Sequence, residues 1–240
     1  MDQPKVVSHE EWTRARVELL AKEKELDRQR DALSAARRAL PMEKVEKSYA
    51  FEGPALSDAP KKQSLLELFG KHKQLIVYHF MFDPSWQEGC KSCSFLADSF
   101  DVPSVHLAAR DTSFVVISRA KLPVLAAFEK RMGWSFPWYS SFDSDFNLDY
   151  HVTFRPEDKA AGKTEYNYKL QSFPSAEAPG ASVFLRDGSD VFHTYSTYSR
   201  GLDHLINTYN FLDLTPFGRN EAELSYGMAW VRHHDKYEKG

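Results

Sequence analysis

The pattern of apolar and polar residues predicts one long charged helix followed by alternating strands and helices. Residues 8–40 contain no glycine or proline, and Ser8 and Glu11 have the spacing of an N-terminal capping box. Farther along, the apolar runs 75–82 and 112–118 are typical of buried strands, and helical spacing of apolar residues follows each run. Strands that alternate with helices predict βαβ units and a parallel sheet.

The N-terminal helix carries an apolar residue at every seventh position, namely Trp12, Leu19, Leu26, Leu33 and Leu40. In a leucine zipper the companion positions would also be apolar, but here they are charged: Arg16, Glu23, Arg30 and Arg37. Two interpretations follow from this pattern. The helix lies on the rest of the protein through a narrow apolar stripe, or it pairs with a second copy in a homodimer.

Beyond the second buried run, the chain predicts an aromatic-rich insertion and then a hairpin. The insertion, about 134–178, is expected to cover one end of the sheet. Residues 182–195 form two apolar runs joined by an Asp-Gly turn, which is typical of a β-hairpin. The predicted organisation is an N-terminal helical extension (1–44), an α/β domain with a central mixed sheet flanked by helices (45–210), and a C-terminal wrap (211–240).

The candidate chemistry lies just after the first buried run, where the two cysteines of the chain have C-x-x-C spacing. Cys90 is predicted at the start of a helix, where backbone N–H groups stabilise a thiolate, and Cys93 lies one turn farther on. The same spacing occurs in half of a zinc site. A four-ligand site needs two more ligands, however, and the sequence has no second C-x-x-C.

Several side chains are candidates to support the thiols: Trp86, Lys91, His79, His193, Tyr195 and Arg200. A lysine next to Cys90 would favour its thiolate. A histidine close to the thiols would act as a base or as a metal ligand. The structural alternatives stay open, since the lysine can be a solvated side chain of the first helical turn and the histidines can be packed within strands.

Composition narrows the class of protein. The 240 residues are 42% apolar and 14% aromatic, so the chain can bury a sizeable core. The net charge of −3 gives no reason to expect nucleic acid or a membrane as a partner. The sequence has neither an apolar run long enough to span a membrane nor the apolar core of a signal peptide, so a cytoplasmic location is expected. There a C-x-x-C pair is more often catalytic or metal-binding than a structural disulfide.

Long strings of the sequence resemble a family of bacterial proteins classed as a domain of unknown function and grouped with the thioredoxin-like superfamily. They include YHFMFDPSWQEGCKSC, RMGWSFPWYSSF, VFHTYSTYSRG and LDLTPFGR. The resemblance implies an α/β, thioredoxin-like fold, in a peroxiredoxin-like variant. It also implies that Cys90 is the nucleophile and Cys93 the resolving residue. In this superfamily a cis-proline often faces the cysteines, and Pro179 lies near that place in the sequence.

Two hypotheses of function follow. The first is a thiol-disulfide or thiol-peroxide oxidoreductase without a cofactor, which acts on a small thiol, disulfide or peroxide and is reduced by a thioredoxin or glutathione system. The second is a non-catalytic protein that binds a metal or small ligand between Cys90, Cys93 and a histidine. The fold alone does not choose between them.

Overall fold

An eight-stranded mixed sheet organises the protein in a computed structural model, which describes residues 3–238. The strands in chain order are β1 (Glu43–Lys44), β2 (Ala50–Gly53), β3 (Lys61–Ser64), β4 (Gln74–His79), β5 (Thr112–Ser118), β6 (Trp138–Ser140), β7 (Thr164–Tyr166), β8 (Lys169–Gln171), β9 (Gly180–Asp187) and β10 (Asp190–Tyr198). The order in the large sheet is β1-β10-β9-β4-β5-β6-β2-β3, while β7 and β8 pair separately.

Helices of very different lengths accompany the sheet. They are α1 (His9–Arg38), α2 (Lys91–Ala97), α3 (Asp101–Ala108), α4 (Leu122–Met132), α5 (Phe146–Asp149), α6 (Pro156–Ala160) and α7 (Asn207–Leu212). Short 3-10 helices cover Glu67–Phe69, Ser199–Leu205 and His234–Lys236. Within residues 3–238, no helix combines the length and the apolar character that crossing a membrane requires.

The connections confirm the predicted thioredoxin-like fold. Strands β4, β5 and β6 are parallel, with α2 and α3 between β4 and β5 and with α4 between β5 and β6. The hairpin β9–β10 continues the sheet on the other side of β4 in the antiparallel direction. Strand β4 is therefore central, and its carboxyl end leads directly to the cysteines.

Strand β4 separates two layers of core. Leu75 and Val77 pack on one face of the sheet, whereas Tyr78 and Phe80 pack on the other face, together with Cys93. All four of these side chains are at most 2% exposed. Burial on both faces explains why β4 is a continuous apolar run and does not alternate with polar residues.

Local signals place several element boundaries correctly. The capping box of Ser8 and Glu11 is present at the start of α1. Gly133 ends α4 in the left-handed conformation, at φ +67°. Other boundaries differ from the prediction. The helix behind the cysteines is two helices, α2 and α3, and Pro103 lies in the first turn of α3, where its missing N–H is tolerated.

The aromatic insertion belongs to the core, contrary to the expectation that it covers one end of the sheet. Trp134 and Trp138 pack with Phe80 and Phe128 on the α2 side of the sheet. On the opposite side, Phe146 packs in the other core layer. The insertion therefore fills both layers, because residues 134–138 pack on one face of the sheet and residues 139–150 pack on the other.

Helix α1 is exposed along its whole length. None of its 30 residues, all of which lie in the described range, is buried. The apolar stripe is about half exposed, from 48% at Leu40 to 57% at Trp12. The interpretation that the domain covers this stripe is therefore wrong. The described contact with the sheet is polar, since the Arg37 guanidinium lies 5.4 Å from the centre of the Tyr195 ring.

Glu129 on α4 provides a test of the core. The residue is 2% exposed, and its Oε2 has no hydrogen-bond partner among the described residues. Burial, together with nearby Asp101, raises the pKa of Glu129 to about 8. A protein that contains such an acid loses stability as the pH rises from the pKa of the acid in the unfolded state to its higher pKa in the folded state.

We expect Glu129→Gln to raise the free energy of unfolding by about 1–3 kcal/mol at pH 8, and by much less near pH 4.5, because the amide needs no proton. Urea unfolding at both pH values measures this difference. The exposed residue Glu18 gives the control, Glu18→Gln, which should change little at either pH. An equal gain in the free energy of unfolding from Glu129→Gln at the two pH values would contradict a raised pKa of Glu129.

Candidate active site

Cys90 is fixed at the point where the loop after β4 enters α2. Its backbone N–H donates to the carbonyl of Met81 (3.1 Å), and its own carbonyl accepts from the N–H and the hydroxyl of Ser94, both at 2.9 Å. The residue before it, Gly89, has no room for a side chain, because a Cβ there would lie 2.6 Å from the Phe80 ring. The loop can therefore pass over Phe80 and deliver Cys90 to the N-cap of α2.

The two thiols lie near each other and differ strongly in their ionisation. Cys93 is 2% exposed, and burial raises its pKa well above the ordinary value. A hydrogen bond from the Cys93 thiol lowers the pKa of Cys90. Burial opposes this effect, and the N–H groups of Cys93 and Ser92 add to it, so the pKa of Cys90 falls to about 6. The two pKa shifts have opposite directions, so Cys90 is the thiol of the pair that is favoured as a thiolate and Cys93 is the one favoured as a neutral thiol.

Of the predicted supporting residues, Trp86 lies near the motif, and Lys91 points away from it. Trp86 packs against the same core layer as Cys90 and Cys93. The Lys91 ammonium instead donates to the carbonyl of Ala229 (3.1 Å) and lies 5.8 Å from the centre of the Tyr226 ring. The expected lysine partner of Cys90 is thus an anchor for the C-terminal segment.

The two candidate histidines lie on the opposite face of the sheet from the cysteines. His79 bonds to Ser182 (2.8 Å), Ser182 to Ser196 (2.8 Å), and Ser196 to His193 (2.7 Å). Burial lowers the pKa of both histidines, that of His79 to about 3. They form one hydrogen-bonded chain with each other. The metal-binding hypothesis required a histidine beside the thiols, and neither of these two occupies that place.

The alternation of side chains along a strand is the signal that would have separated His79 from the thiols. Neighbouring residues of a strand point to opposite faces. Tyr78 faces the Cys93 sulfur, so His79 must point away from it. Tyr78 is itself a contact of the site that the sequence did not single out. Tyr195 also lies outside the site, under Arg37 of α1.

A cavity of about 830 Å³ adjoins the C-x-x-C motif. It reaches the motif at Ser92 and Cys93, and Pro179 forms part of its wall. Within the described range the one cis peptide bond is Gly53–Pro54, so Pro179 occupies the expected place in the trans form. Arg200 also lines the cavity and pairs with Asp203 at 3.1 Å.

Most of the remaining wall comes from residues 199–228, which the sequence predicted only as a last helix and an irregular wrap. Their apolar members include Leu202, Ile206, Tyr209 and Met228. The contacts that fold this segment back over the motif join residues far apart in the chain. Local sequence patterns do not encode such contacts, so the cavity was missed.

Residues 229–236, here named the C-terminal strap, hold the loop that precedes Cys90. The His233 ring donates from Nε2 to the carbonyl of Gly89 (2.9 Å). Glu88 accepts from Lys236 (2.8 Å) and from Arg131 (2.5 Å), and Arg131 also binds Asp235 (2.7 Å). The strap therefore fixes both residues immediately before the thiolate.

The part of the chain that the structure describes was also searched for clusters of potential metal ligands. Across residues 3–238, no three His, Cys, Asp or Glu side chains come close enough together to hold a metal ion.

Comparison with known protein families gives one clear match. The model of the family described as "Bacterial protein of unknown function (DUF899)" matches residues 1–237. The chain belongs to this family. The match confirms the resemblance predicted from the sequence strings. A search of curated proteins finds no match.

Solved structures that are similar to the DUF899 chain include three peroxiredoxin-type proteins. Peroxidoxin BcpB from Mycobacterium tuberculosis is 13% identical, with a TM-score of 0.47 over 70% of this chain and 95% of the other. AhpC from Enterococcus faecalis is 10% identical, with a TM-score of 0.46 over 72% and 93%. Peroxiredoxin Q from Xanthomonas campestris is 13% identical, with a TM-score of 0.45 over 74% and 98%.

The contact between the two thiols can be tested by titration. We expect Cys93→Ala to raise the pKa of Cys90 by about one unit or more, because the hydrogen bond from the Cys93 thiol is lost. Cys93→Ser keeps a donor and should retain most of the lowered pKa. The ultraviolet absorbance of the thiolate, followed against pH, reports Cys90 alone in both variants. An unchanged midpoint in Cys93→Ala would show that Cys93 does not set the pKa.

Proposed function

We propose that this DUF899 chain is a thiol oxidoreductase that reduces a disulfide or a peroxide with Cys90 as nucleophile and Cys93 as resolving residue. The observation that carries the proposal is the placement of two neighbouring thiols: Cys90 is partly exposed at the N-cap of α2, whereas Cys93 is 2% exposed in the core. A nucleophile must be deprotonated at working pH, and a resolving thiol must stay neutral until the first step is complete. Family membership adds nothing about the reaction, since a fold hosts many functions.

With a disulfide, the Cys90 thiolate attacks one sulfur and forms a mixed disulfide, while the other sulfur leaves as a thiolate. Cys93 then loses its proton, attacks the Cys90 sulfur and releases the second thiolate.

With a peroxide, Cys90 takes one oxygen and becomes a sulfenic acid, and the other oxygen leaves as water or an alcohol. Cys93 then displaces water. Both routes end at a Cys90–Cys93 disulfide, which a thioredoxin-like thiol returns to two thiols.

We expect the reduced protein to form this intramolecular disulfide when it is mixed with a small disulfide or a peroxide, seen by intact mass as the loss of two hydrogens. Cys90→Ser should lower the oxidation rate by about a hundredfold or more, because the buried Cys93 thiol is a poor nucleophile. Cys93→Ser should react at Cys90 and stop at the mixed disulfide or the sulfenic acid. Equal oxidation of wild type and Cys90→Ser would refute the proposal.

We also propose that α1 joins two copies of the chain. Its apolar stripe is half exposed over the whole helix, and pairing with an identical stripe would remove that surface from water. The partner positions are charged, which makes this a weaker seam than a leucine zipper.

The central stripe residue gives the test of this pairing. Leu26→Lys places a charge at the middle of the seam and should weaken the dimer by about tenfold or more in analytical ultracentrifugation. Val105→Lys on α3 is the matched control, because Val105 is also exposed, at 70%, and lies outside α1. A wild-type protein that stays monomeric at high concentration would exclude the pairing.

A further inference from the structure

The cavity beside the motif has apolar walls close to the thiols. Leu96 of α2, Leu202, Ile206 and Met228 surround the space next to Cys93. Its volume of about 830 Å³ lies in the range of sites for organic molecules and far exceeds what hydrogen peroxide would fill. The size and the wall therefore fit a ligand with a substantial organic body.

The charged groups of the cavity are already paired with each other. Arg219 bonds to Asp213 through two nitrogens (2.9 and 2.8 Å) and to Asp203 through a third (3.2 Å). The same guanidinium lies 3.9 Å from the centre of the Tyr209 ring. Arg200 shares Asp203. A ligand anion that sought Arg219 would have to replace a carboxylate that is already in place, whereas the Arg200 side chain is 87% exposed and lies at the open side of the cavity.

Glu221 is the third carboxylate of the wall. Its Oε1 accepts from the Tyr209 hydroxyl (2.6 Å), the N–H of Met228 (3.0 Å) and the Trp230 indole (2.6 Å). Burial alone would raise the pKa of Glu221, but these hydrogen bonds hold it below its usual value, so the carboxylate stays charged. Two arginines and three carboxylates give the lining a formal charge of −1.

Anions are thus repelled by the net charge of the lining, and they find Arg219, its less exposed cation, already occupied. An uncharged apolar body meets neither obstacle and gains by leaving water.

We propose that this cavity holds the uncharged, apolar body of the disulfide substrate and discriminates against anionic thiols and disulfides such as those of glutathione. The substrate assignment rests on the proposed function, whereas the preference of the cavity for uncharged ligands does not. A hydroperoxide with the same kind of body offers the cavity the same surface. In the disulfide case, Cys90 bonds to one substrate sulfur, and the other substrate sulfur leaves as a thiolate. Cys93 then bonds to the Cys90 sulfur, and the first substrate sulfur leaves as the second thiolate. Two protein thiols are oxidised and one substrate disulfide is reduced.

The binding test uses two probes that differ only in charge, octanol and octanoate, and the full-length Cys90→Ser protein, which cannot react through Cys90. Calorimetry should show octanol binding about tenfold more tightly than octanoate. Failure of octanol to bind, or equal or tighter binding of octanoate, would overturn the proposal.

Glu221→Gln removes one negative charge and keeps an oxygen that accepts hydrogen bonds. It should narrow the preference for octanol over octanoate severalfold. Glu223→Gln is the matched control, since Glu223 is exposed, lies two residues away and is not part of the cavity wall. An equal change in both variants would mean that overall charge, and not the cavity, sets the preference, and would also overturn the proposal.

A kinetic arm separates this inference from the proposed function. Wild-type protein is oxidised by dithiodipyridine, which is uncharged, and by dithionitrobenzoate, which is dianionic, with each rate divided by the rate for a free cysteine derivative. The uncharged disulfide should be favoured about tenfold.

Cumene hydroperoxide, measured in the same way, shows whether the reacting bond is S–S or O–O. A faster normalised rate for this hydroperoxide than for dithiodipyridine would overturn the disulfide assignment. Octanol binding without any thiol oxidation would refute the oxidoreductase and leave the cavity preference standing. Oxidation of the thiols without octanol binding would refute the cavity preference and leave the oxidoreductase standing.

Discussion

The unequal burial of two neighbouring thiols is the constraint on which the rest of this candidate site depends. Cys93 is held in the core, where burial keeps its proton in place, and that proton is what stabilises the neighbouring Cys90 sulfur as an anion. The effect needs a rigid strand beneath Cys93 and a helix that begins at Cys90. Strand β4 and helix α2 supply these two conditions, and the aromatic core on the α2 side of the sheet keeps them together.

The C-terminal part of the chain adds most of a cavity wall to this pair of cysteines. Residues 199–228 enclose the cavity beside Cys93, and the C-terminal strap fixes the loop before Cys90. The cysteine pair and most of the cavity wall therefore lie in different parts of the sequence. The first depends on a short local segment, and the second depends on contacts between the two halves of the chain.

This division explains what the sequence could predict. The strand, the loop, the C-x-x-C pair and the helix follow one another in the chain, so apolar patterns and helix signals located them. The capping box of Ser8 and Glu11 is local and was found for the same reason. The partner of Lys91 lies 138 residues away at Ala229, and no pattern near Lys91 announces it. His79 stayed a candidate beside the thiols, with a packed strand histidine as the alternative, although the alternation of β4 already placed it opposite Tyr78.

The C-terminal strap also bears on the order of folding. The bonds from His233 to Gly89 and from Lys236 to Glu88 span 144 and 148 residues, so a large chain entropy must be lost before they form. Contacts of such high sequence separation generally form slowly. The sheet and α2 can assemble first, with the loop before Cys90 still free to move. The pair of cysteines, which depends on β4 and α2, can then come together before the strap forms, and the fixing of the loop before Cys90 is the late step.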